Sequence, residues 1–184
     1  MHYRIIILTG VSGCGKDTLL NMVLNEYQNQ LTRIITYTTR PKRETDSDKD
    51  IYYFISEKEF KNKIKQGFFF EYEITHGHFY GTSNNSINQN DNLISRMDIR
   101  GALNVKKHFP NSLVILINTP LKDISERLIK RGESESKIKI RLQTAVRELK
   151  SIKNADIVID NLDNQIDKAY ANLKKAIDNF LSIS

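Results

Sequence analysis

The stretch IIILTGVSGCGKDTLL, residues 5–20, decides the fold of this chain. It begins with an apolar, mostly β-branched run that ends at glycines, which is typical of a buried central strand. Helix-spaced apolar residues follow from about position 16 to position 27. Between them, the spacing Gly10-x4-Gly15-Lys16 predicts a loop whose backbone N–H groups surround an anion, beside a helix N-terminus and a lysine charge. We predict that this loop binds a nucleoside triphosphate through Gly10, Val11, Ser12, Gly13, Cys14, Gly15, Lys16, Asp17 and Thr18.

Asp17 departs from the usual pattern of such a loop, in which Ser or Thr at this position contacts Mg²⁺ through its hydroxyl. A carboxylate can also bind Mg²⁺, or hold one of its waters, so altered metal handling is the favoured interpretation and lost metal handling the alternative. The added negative charge should make triphosphate binding poor without the metal. Thr18 retains one hydroxyl for a phosphate oxygen.

Composition and charge limit the classes of partner. The chain has 184 residues, enough for one domain, and a formal net charge of +6, which favours acidic partners. Its basic residues are dispersed, and neither nucleic acid nor a membrane is expected as a partner. The single cysteine, Cys14, rules out an internal disulfide and fits a reducing compartment, and the apolar run at residues 5–8 is too short for a targeting segment. We therefore expect a cytoplasmic protein.

The remaining sequence alternates strand and helix patterns around one polar interruption. Strands are predicted at residues 33–38, 51–55, 68–74, 78–81, 93–98, 113–117 and 157–159, and helices at 56–66, 101–108, 119–130, 137–153 and from 166 onward. The helix at 56–66 begins with a capping box, Ser56 to Glu59, and the helix at 119–130 with Thr119 as N-cap and Pro120 after it. The alternation predicts an α/β fold of a single domain, in which residues 1–32 and 91–184 form a doubly wound parallel sheet and residues 33–90 an inserted mixed α/β lobe.

Three further stretches carry candidate site residues. Residues 37–54, YTTRPKRETDSDKDIYYF, contain Arg40, Arg43 and Tyr52, and residues 67–83, GFFFEYEITHGHFYGTS, contain Glu71, Tyr80 and Thr82. Residues 127–142, RLIKRGESESKIKIRL, contain Arg131 and Arg141. Together with the phosphate loop, and in this order and spacing, these stretches resemble the guanylate kinase family nearly end to end.

The resemblance implies a P-loop kinase in which a lid, at about residues 127–147, closes over the core and the lobe. It implies transfer of a phosphoryl group from ATP to GMP, with dGMP as a possible acceptor and Mg²⁺ as cofactor. Carried over to this sequence, it implies that the catalytic residues are Lys16, Arg131 and Arg141, and that the acceptor phosphate is held by Arg40, Arg43, Tyr52 and Tyr80. It implies that the guanine edge is read by Glu71, Thr82 and Thr36. It also implies that Asp17 and Asp98 act on Mg²⁺ or its waters, and Asp98 could also contact the acceptor nucleoside.

The chemistry of the residues agrees with these roles. The guanine edge presents adjacent N1–H and N2–H₂ donors, and the carboxylate of Glu71 can accept from both. Arginines and tyrosine hydroxyls together suit a phosphate dianion. Because the acceptor is already an anion, catalysis needs positioning and charge neutralisation more than a general base, and a closing lid excludes water. Solvated loop charges and core aromatics are the alternatives for single residues.

The sequence departs from the family pattern in three places: at Asp17, in the segment 95–101 and at Asp160. Besides Asp17, Arg96 stands where an acid is usual in the segment SRMDIRG, residues 95–101, and Arg100 stands in the same segment where Gln is common. Asp160 stands where Asn near the adenine is usual. We hypothesise that Arg96 pairs with Asp17 as a compensated exchange of charges. The rival functions are a related kinase with another acceptor, such as ribose 1,5-bisphosphate, and a non-catalytic binding module. A nucleic-acid binder has only the charge in its favour.

Overall fold

We describe a computed structural model of the chain, which covers residues 4–42, 52–75, 77–87, 91–149 and 155–182. Within these residues the strands are β1 (Ile5–Thr9), β2 (Thr32–Arg33), β3 (Thr36–Thr38), β4 (Tyr52–Phe54), β5 (Phe69–Thr75), β6 (His78–Ser83), β7 (Leu93–Arg96), β8 (Leu113–Asn118) and β9 (Ile157–Asp160). The helices are α1 (Lys16–Glu26), α2 (Glu57–Lys65), α3 (Ile99–His108), α4 (Leu121–Lys130), α5 (Glu135–Leu149) and α6 (Ile166–Ser182). A short 3₁₀ turn follows β6 at Asn84–Ser86.

A parallel sheet with the order β2-β7-β1-β8-β9 forms the centre of the molecule. All five residues of β1 are buried, as expected for a parallel strand covered on both faces. Ile6 and Leu8 face a core formed with α1, α4 and α6, whereas Ile5 and Ile7 face a second core that includes Ala102 of α3. The predicted doubly wound α/β fold is confirmed.

A second, mixed sheet has the order β4-β3-β6-β5. β5 and β6, which correspond to the strands predicted at 68–74 and 78–81, pair antiparallel, while β3 and β4 are parallel. Helix α2 covers one face of this sheet through Phe60, whose ring is 4.3 Å from Phe69 and 5.1 Å from Phe79, centroid to centroid. The helix begins at the predicted capping box, where the hydroxyl of Ser56 accepts from Glu59 N. The other face of the sheet is left for polar side chains.

Two sequence predictions need correction. The single strand predicted at residues 33–38 is two strands in different sheets, since β2 pairs with β7 and β3 pairs with β6. Thr119 does not cap α4, whose N-cap is Pro120 without a side-chain bond. The hydroxyl of Thr119 donates instead to the carbonyls of Cys14 and Asn161, because burial below the phosphate loop supplies it with other partners. The end of the helix predicted at 137–153 lies partly outside the described residues.

In the part of the chain that the structure covers, no helix combines the length and the apolar character needed to cross a membrane.

Candidate functional site: a phosphate loop facing a polar sheet

The phosphate loop lies at the C-terminal end of β1, where parallel sheets bind ligands. Gly13 and Gly15 have φ of 88° and 93°, in the left-handed region that favours glycine, and Gly15 is the N-cap of α1. A Cβ at Gly15 would also overlap the side chain of Asn161. The predicted loop therefore has both the backbone and the following helix that anion binding requires.

Three donors fix the loop from below through a single carbonyl. The Cys14 carbonyl accepts from Asn161 Nδ2 at 2.8 Å, from Thr119 Oγ1 at 3.1 Å and from Arg127 Nη1 at 3.4 Å. Arg127 is itself held by Asp163, with 2.8 Å between Nε and the carboxylate. Sequence reasoning missed this support, because its members follow different strands and nothing in their spacing links them.

Lys16 and the lid arginines have different environments. Lys16 Nζ folds over the loop and donates to the carbonyls of Gly10, at 2.6 Å, and Val11, at 3.1 Å. Arg141 of α5 donates to Ser12 Oγ at 2.6 Å and pairs with Glu133 at 2.8 Å, so α5 contacts the loop directly. Arg131 is exposed at the end of α4, and its side chain has no hydrogen bond or ion pair within the described ranges.

The three predicted base-reading residues and Tyr52, a predicted phosphate contact, form one row across the second sheet. Tyr52 of β4 is opposite Thr36 of β3, Thr36 is opposite Thr82 of β6, and Thr82 is opposite Glu71 of β5. Residues opposite each other in paired strands project from the same face, so the four side chains share the face that α2 leaves uncovered. A β-bulge between Phe69 and Glu71 shifts the register and brings Glu71 opposite Thr82.

Glu71 is a buried acid in this row. Its side chain accepts from the hydroxyl of Thr82 at 2.7 Å. Burial raises the pKa of Glu71 to about 7, with a further contribution from the nearby Asp98 carboxylate, although the Thr82 bond acts in the opposite direction. Such a carboxylate has unmet capacity to accept hydrogen bonds, and a ligand with paired N–H donors would satisfy it.

Aromatic rings and guanidinium groups meet at the β4 end of the row. The Arg40 guanidinium is 5.5 Å from the centroid of the Tyr52 ring and 5.4 Å from that of Phe54, and Arg40 is largely buried. The Tyr80 ring is 6.2 Å from the Tyr52 ring. Three of the four predicted acceptor-phosphate residues are thus together, and the fourth, Arg43, lies outside the described residues.

Asp98 is the N-cap of α3, a role that the sequence analysis did not assign. Its Oδ1 accepts from Gly101 N at 2.8 Å, and its other oxygen accepts from the hydroxyl of Thr75. Glu148 of α5 is a second acid on this side of the site that sequence reasoning missed. Its pKa is raised by burial and by the charge of Asp98, while Lys16 and Arg100 act in the opposite direction.

Arg96 forms an ion pair with Asp17, as hypothesised from the sequence. The Arg96 side chain is only 16% exposed, whereas that of Asp17 is 60% exposed. Burial lowers the pKa of the Arg96 guanidinium to about 10, so it remains charged at neutral pH. Its guanidinium also lies over the Tyr52 ring, 5.3 Å from the centroid. Arg96 therefore links the phosphate loop to the second sheet.

Oxygen donors near the loop suit Mg²⁺. Asp17 and Thr18 are exposed at the first turn of α1, and carboxylate and hydroxyl oxygens are ligands that Mg²⁺ accepts. Among the residues that the structure covers, no group of three or more His, Cys, Asp and Glu side chains could hold a metal ion. The donor set thus fits a Mg²⁺ ion carried largely by phosphate oxygens and water, and both Asp98 oxygens already have protein partners.

Comparisons with known proteins agree with this geometry. The family model described as guanylate kinase matches residues 2–180. The guanylate kinase of Thermotoga maritima is 34% identical over 175 residues, which cover 91% of this chain and 84% of that protein. The guanylate kinase of Mycoplasma genitalium is 35% identical over 181 residues, which cover 95% of this chain and 75% of that protein.

A solved structure shares the fold at lower sequence identity. The crystal structure of guanylate kinase from Anaplasma phagocytophilum matches with a TM-score of 0.78 and 20% identity, over 99% of this chain and 88% of that one. The family match spans nearly the whole sequence, and the relatives above 30% identity are covered over most of their length. This chain belongs to the guanylate kinase family.

Proposed function

We propose that this protein transfers the γ-phosphoryl group of ATP to GMP, producing ADP and GDP. The observation that carries the proposal is the row of Tyr52, Thr36, Thr82 and Glu71 across one sheet face, on a domain that also has an intact phosphate loop. A nucleoside monophosphate would place its base near Glu71 and its phosphate near Tyr52, Tyr80 and Arg40. Family membership supports both substrates.

The donor site would act through backbone N–H groups of residues 10–18 and the positive end of α1, which together attract the phosphates of ATP. Lys16 would exchange its bonds to the Gly10 and Val11 carbonyls for bonds to phosphate oxygens. Mg²⁺, held by phosphate oxygens with Asp17 or Thr18, would neutralise charge as the phosphoryl group moves. Asp98 would act on this ion through water, since both of its oxygens already accept hydrogen bonds.

The acceptor site would select guanine through Glu71. Its carboxylate can accept from N1–H and N2–H₂ of the guanine edge, whereas adenine presents a different pattern of donors and acceptors there. Thr82 already donates to Glu71, and this bond fixes the carboxylate towards the base. Discrimination of this kind is strong, because a wrong base would leave a buried charged group without partners.

The lid would supply positive charge and exclude water. Arg141 already lies against the loop through Ser12, while Arg131 is exposed and could turn inward when the nucleotides bind. The paired N–H donors of an arginine guanidinium can bind two equatorial oxygens of the transferred phosphoryl group. Exclusion of water is required because water would otherwise accept the phosphoryl group. We also place this reaction in the cytoplasm, where a buried free cysteine such as Cys14 is stable.

A panel of acceptors tests the proposal. Purified protein with Mg²⁺ and ATP is incubated with GMP, dGMP, AMP, UMP or ribose 1,5-bisphosphate, and ADP release is recorded. We expect turnover with GMP, weaker turnover with dGMP, and little with AMP or UMP. Turnover with ribose 1,5-bisphosphate instead of GMP would reassign the acceptor. Absence of turnover across the panel would favour a binding module.

A further inference from the structure

Arg96 occupies the boundary between the two halves of the site. It ends β7, where it pairs in register with Leu8, two residues before the phosphate loop begins. One side of its guanidinium meets Asp17, the residue after Lys16, and the ring of Tyr52 lies 5.3 Å away. Because Asp17 belongs to the donor site and Tyr52 to the acceptor site, the guanidinium lies on the boundary across which a phosphoryl group would pass.

Because Arg96 is buried, its guanidinium needs an anion as a neighbour. A guanidinium removed from water is stable only when charged or hydrogen-bonding partners replace the water that it loses. Its partner Asp17 is well exposed and therefore partly satisfied by solvent. An exposed carboxylate can be released to water or to a cation at small cost, whereas the buried guanidinium then needs another anion.

We propose that Arg96 is a catalytic residue that contacts the transferred phosphoryl group, and that Asp17 holds its guanidinium in place while the site is empty. This inference rests on the proposed function. When ATP and GMP bind, Arg96 would exchange its bond to the Asp17 carboxylate for bonds to non-bridging phosphate oxygens. The Asp17 carboxylate could then contact the Mg²⁺ that accompanies ATP.

The step balances without a redox change. The bond between the bridging oxygen and the γ-phosphorus of ATP breaks, and ADP departs with the electron pair. An oxygen of the GMP phosphate forms the new bond to that phosphorus. Arg96 donates hydrogen bonds to the non-bridging oxygens throughout and keeps its proton. Such donors act most strongly where charge spreads over the equatorial oxygens in the transition state.

A merely structural role makes a different prediction. If Arg96 only neutralises Asp17, its loss should be repaired when Asp17 also loses its charge. The test therefore uses Arg96→Gln, Arg96→Lys, Asp17→Asn and the double variant Asp17→Asn with Arg96→Gln. Lys107→Gln, which removes one exposed charge from the C-terminal part of α3, is the matched control. Thermal melting verifies that each variant is folded.

Steady-state kinetics and calorimetry provide the measurements. We expect Arg96→Gln to lower kcat about 100-fold, as for loss of one transition-state donor, with KM for GMP within about threefold. Calorimetric binding of GMP in EDTA should also change less than about threefold. The kcat of Arg96→Lys should be intermediate, because lysine keeps the positive charge but lacks the paired N–H donors of the guanidinium. The double variant should remain as slow as Arg96→Gln.

Three outcomes would overturn the proposal: an unchanged kcat in Arg96→Gln, a raised KM for GMP with unchanged kcat, or recovery of kcat in the double variant. Wild-type turnover with GMP tests the proposed function separately. If the wild-type protein prefers another phosphorylated acceptor, the proposed function fails, while the Arg96 comparison is made with that acceptor and still decides the role of Arg96.

Discussion

The phosphate loop and the polar face of the second sheet, which carries Tyr52, Thr36, Thr82 and Glu71, present polar groups to a ligand by different means. The loop relies on backbone shape, with glycines at positive φ and a carbonyl, that of Cys14, held by three donors. The sheet face relies on side chains, which register and a β-bulge bring into one row. Backbone N–H groups exist at every non-proline residue, whereas a row of particular side chains depends on each residue.

This difference bears on the ion pair between Asp17 and Arg96. Asp17 changes a side chain on the loop but leaves the backbone cradle and Lys16 intact, and Arg96 accompanies the change. We therefore expect side-chain replacements in the loop to be tolerated better than replacements in the row of Tyr52, Thr36, Thr82 and Glu71.

Lys16→Ala should have the largest effect and tests the loop as a catalytic element. Loss of its charge near the β- and γ-phosphates should lower kcat about 1,000-fold. Binding of GMP to the opposite side, measured by calorimetry without ATP, should stay within about threefold. If the variant retained more than a tenth of wild-type turnover, Lys16 would not be a catalytic residue. The backbone N–H groups of the loop alone would then be sufficient for phosphoryl transfer.

Glu71→Gln should have the next largest effect, and it should appear on the acceptor side alone. The amide keeps the shape but presents an N–H₂ group to the guanine donors, so KM for GMP should rise about 50-fold while KM for ATP stays constant. Glu73→Gln is the matched control, since Glu73 lies two residues away on the same strand and contacts Asn104. Equal effects of both changes would contradict base recognition by Glu71 specifically.

The pH dependence should separate the two regions further. Because burial raises the pKa of Glu71 from 4.5 to about 7, the carboxyl gains a proton as the pH falls below 7 and can no longer accept both guanine bonds. KM for GMP should therefore rise by up to about tenfold per pH unit below 7, and this rise should be absent in Glu71→Gln.

The same raised pKa predicts that stability falls as the pH rises, whereas GMP binding improves. The stability that Glu71 contributes is present below the unfolded pKa and is lost as the pH rises through 7, because the buried carboxyl must then ionise. At pH 8 the free energy of unfolding of Glu71→Gln should exceed that of the wild-type protein by up to about 3 kcal/mol, and the difference should shrink towards pH 5. Urea titrations at the two pH values measure it; a constant difference would refute the assigned cause.

Asp17→Ser should have the smallest effect. It leaves the buried Arg96 guanidinium without its carboxylate, and we expect a loss of about 1 kcal/mol in the free energy of unfolding, since Asp17 itself is exposed. Arg96→Gln in the same background should recover most of this loss. If Asp17→Ser and Arg96→Gln were strictly additive in urea titrations, the two side chains would not be coupled, and the charge exchange would need another explanation.

The sequence predicted those features that depend on local pattern. The buried strand, the glycine spacing and the lysine predicted the phosphate loop, and the alternation of elements predicted the doubly wound sheet. Motif order predicted that Tyr52, Tyr80 and Glu71 would share one region, and the pairing of Arg96 with Asp17 followed from charge complementarity.

Features set by tertiary packing could not be predicted in the same way. The change of sheet between Arg33 and Thr36 has no marker in a continuous β-branched run. The support of the Cys14 carbonyl joins residues more than 100 positions apart, and Thr119 looked like a helix cap because its other partners are distant in sequence. The catalytic and binding roles assigned to the site residues all stay predictions, and Arg43 lies outside the described residues.

The triple support of the Cys14 carbonyl has a consequence for the order in which the site is completed. During synthesis the loop sequence leaves the ribosome first, but Thr119, Arg127 and Asn161 follow only after most of the chain has been made. A nascent chain that ends before β9 would carry the whole glycine motif without the amide that fixes its curvature. We therefore expect a chain that ends before β9 to bind a nucleotide more weakly than the whole chain does, because Asn161 is missing from the support of the loop.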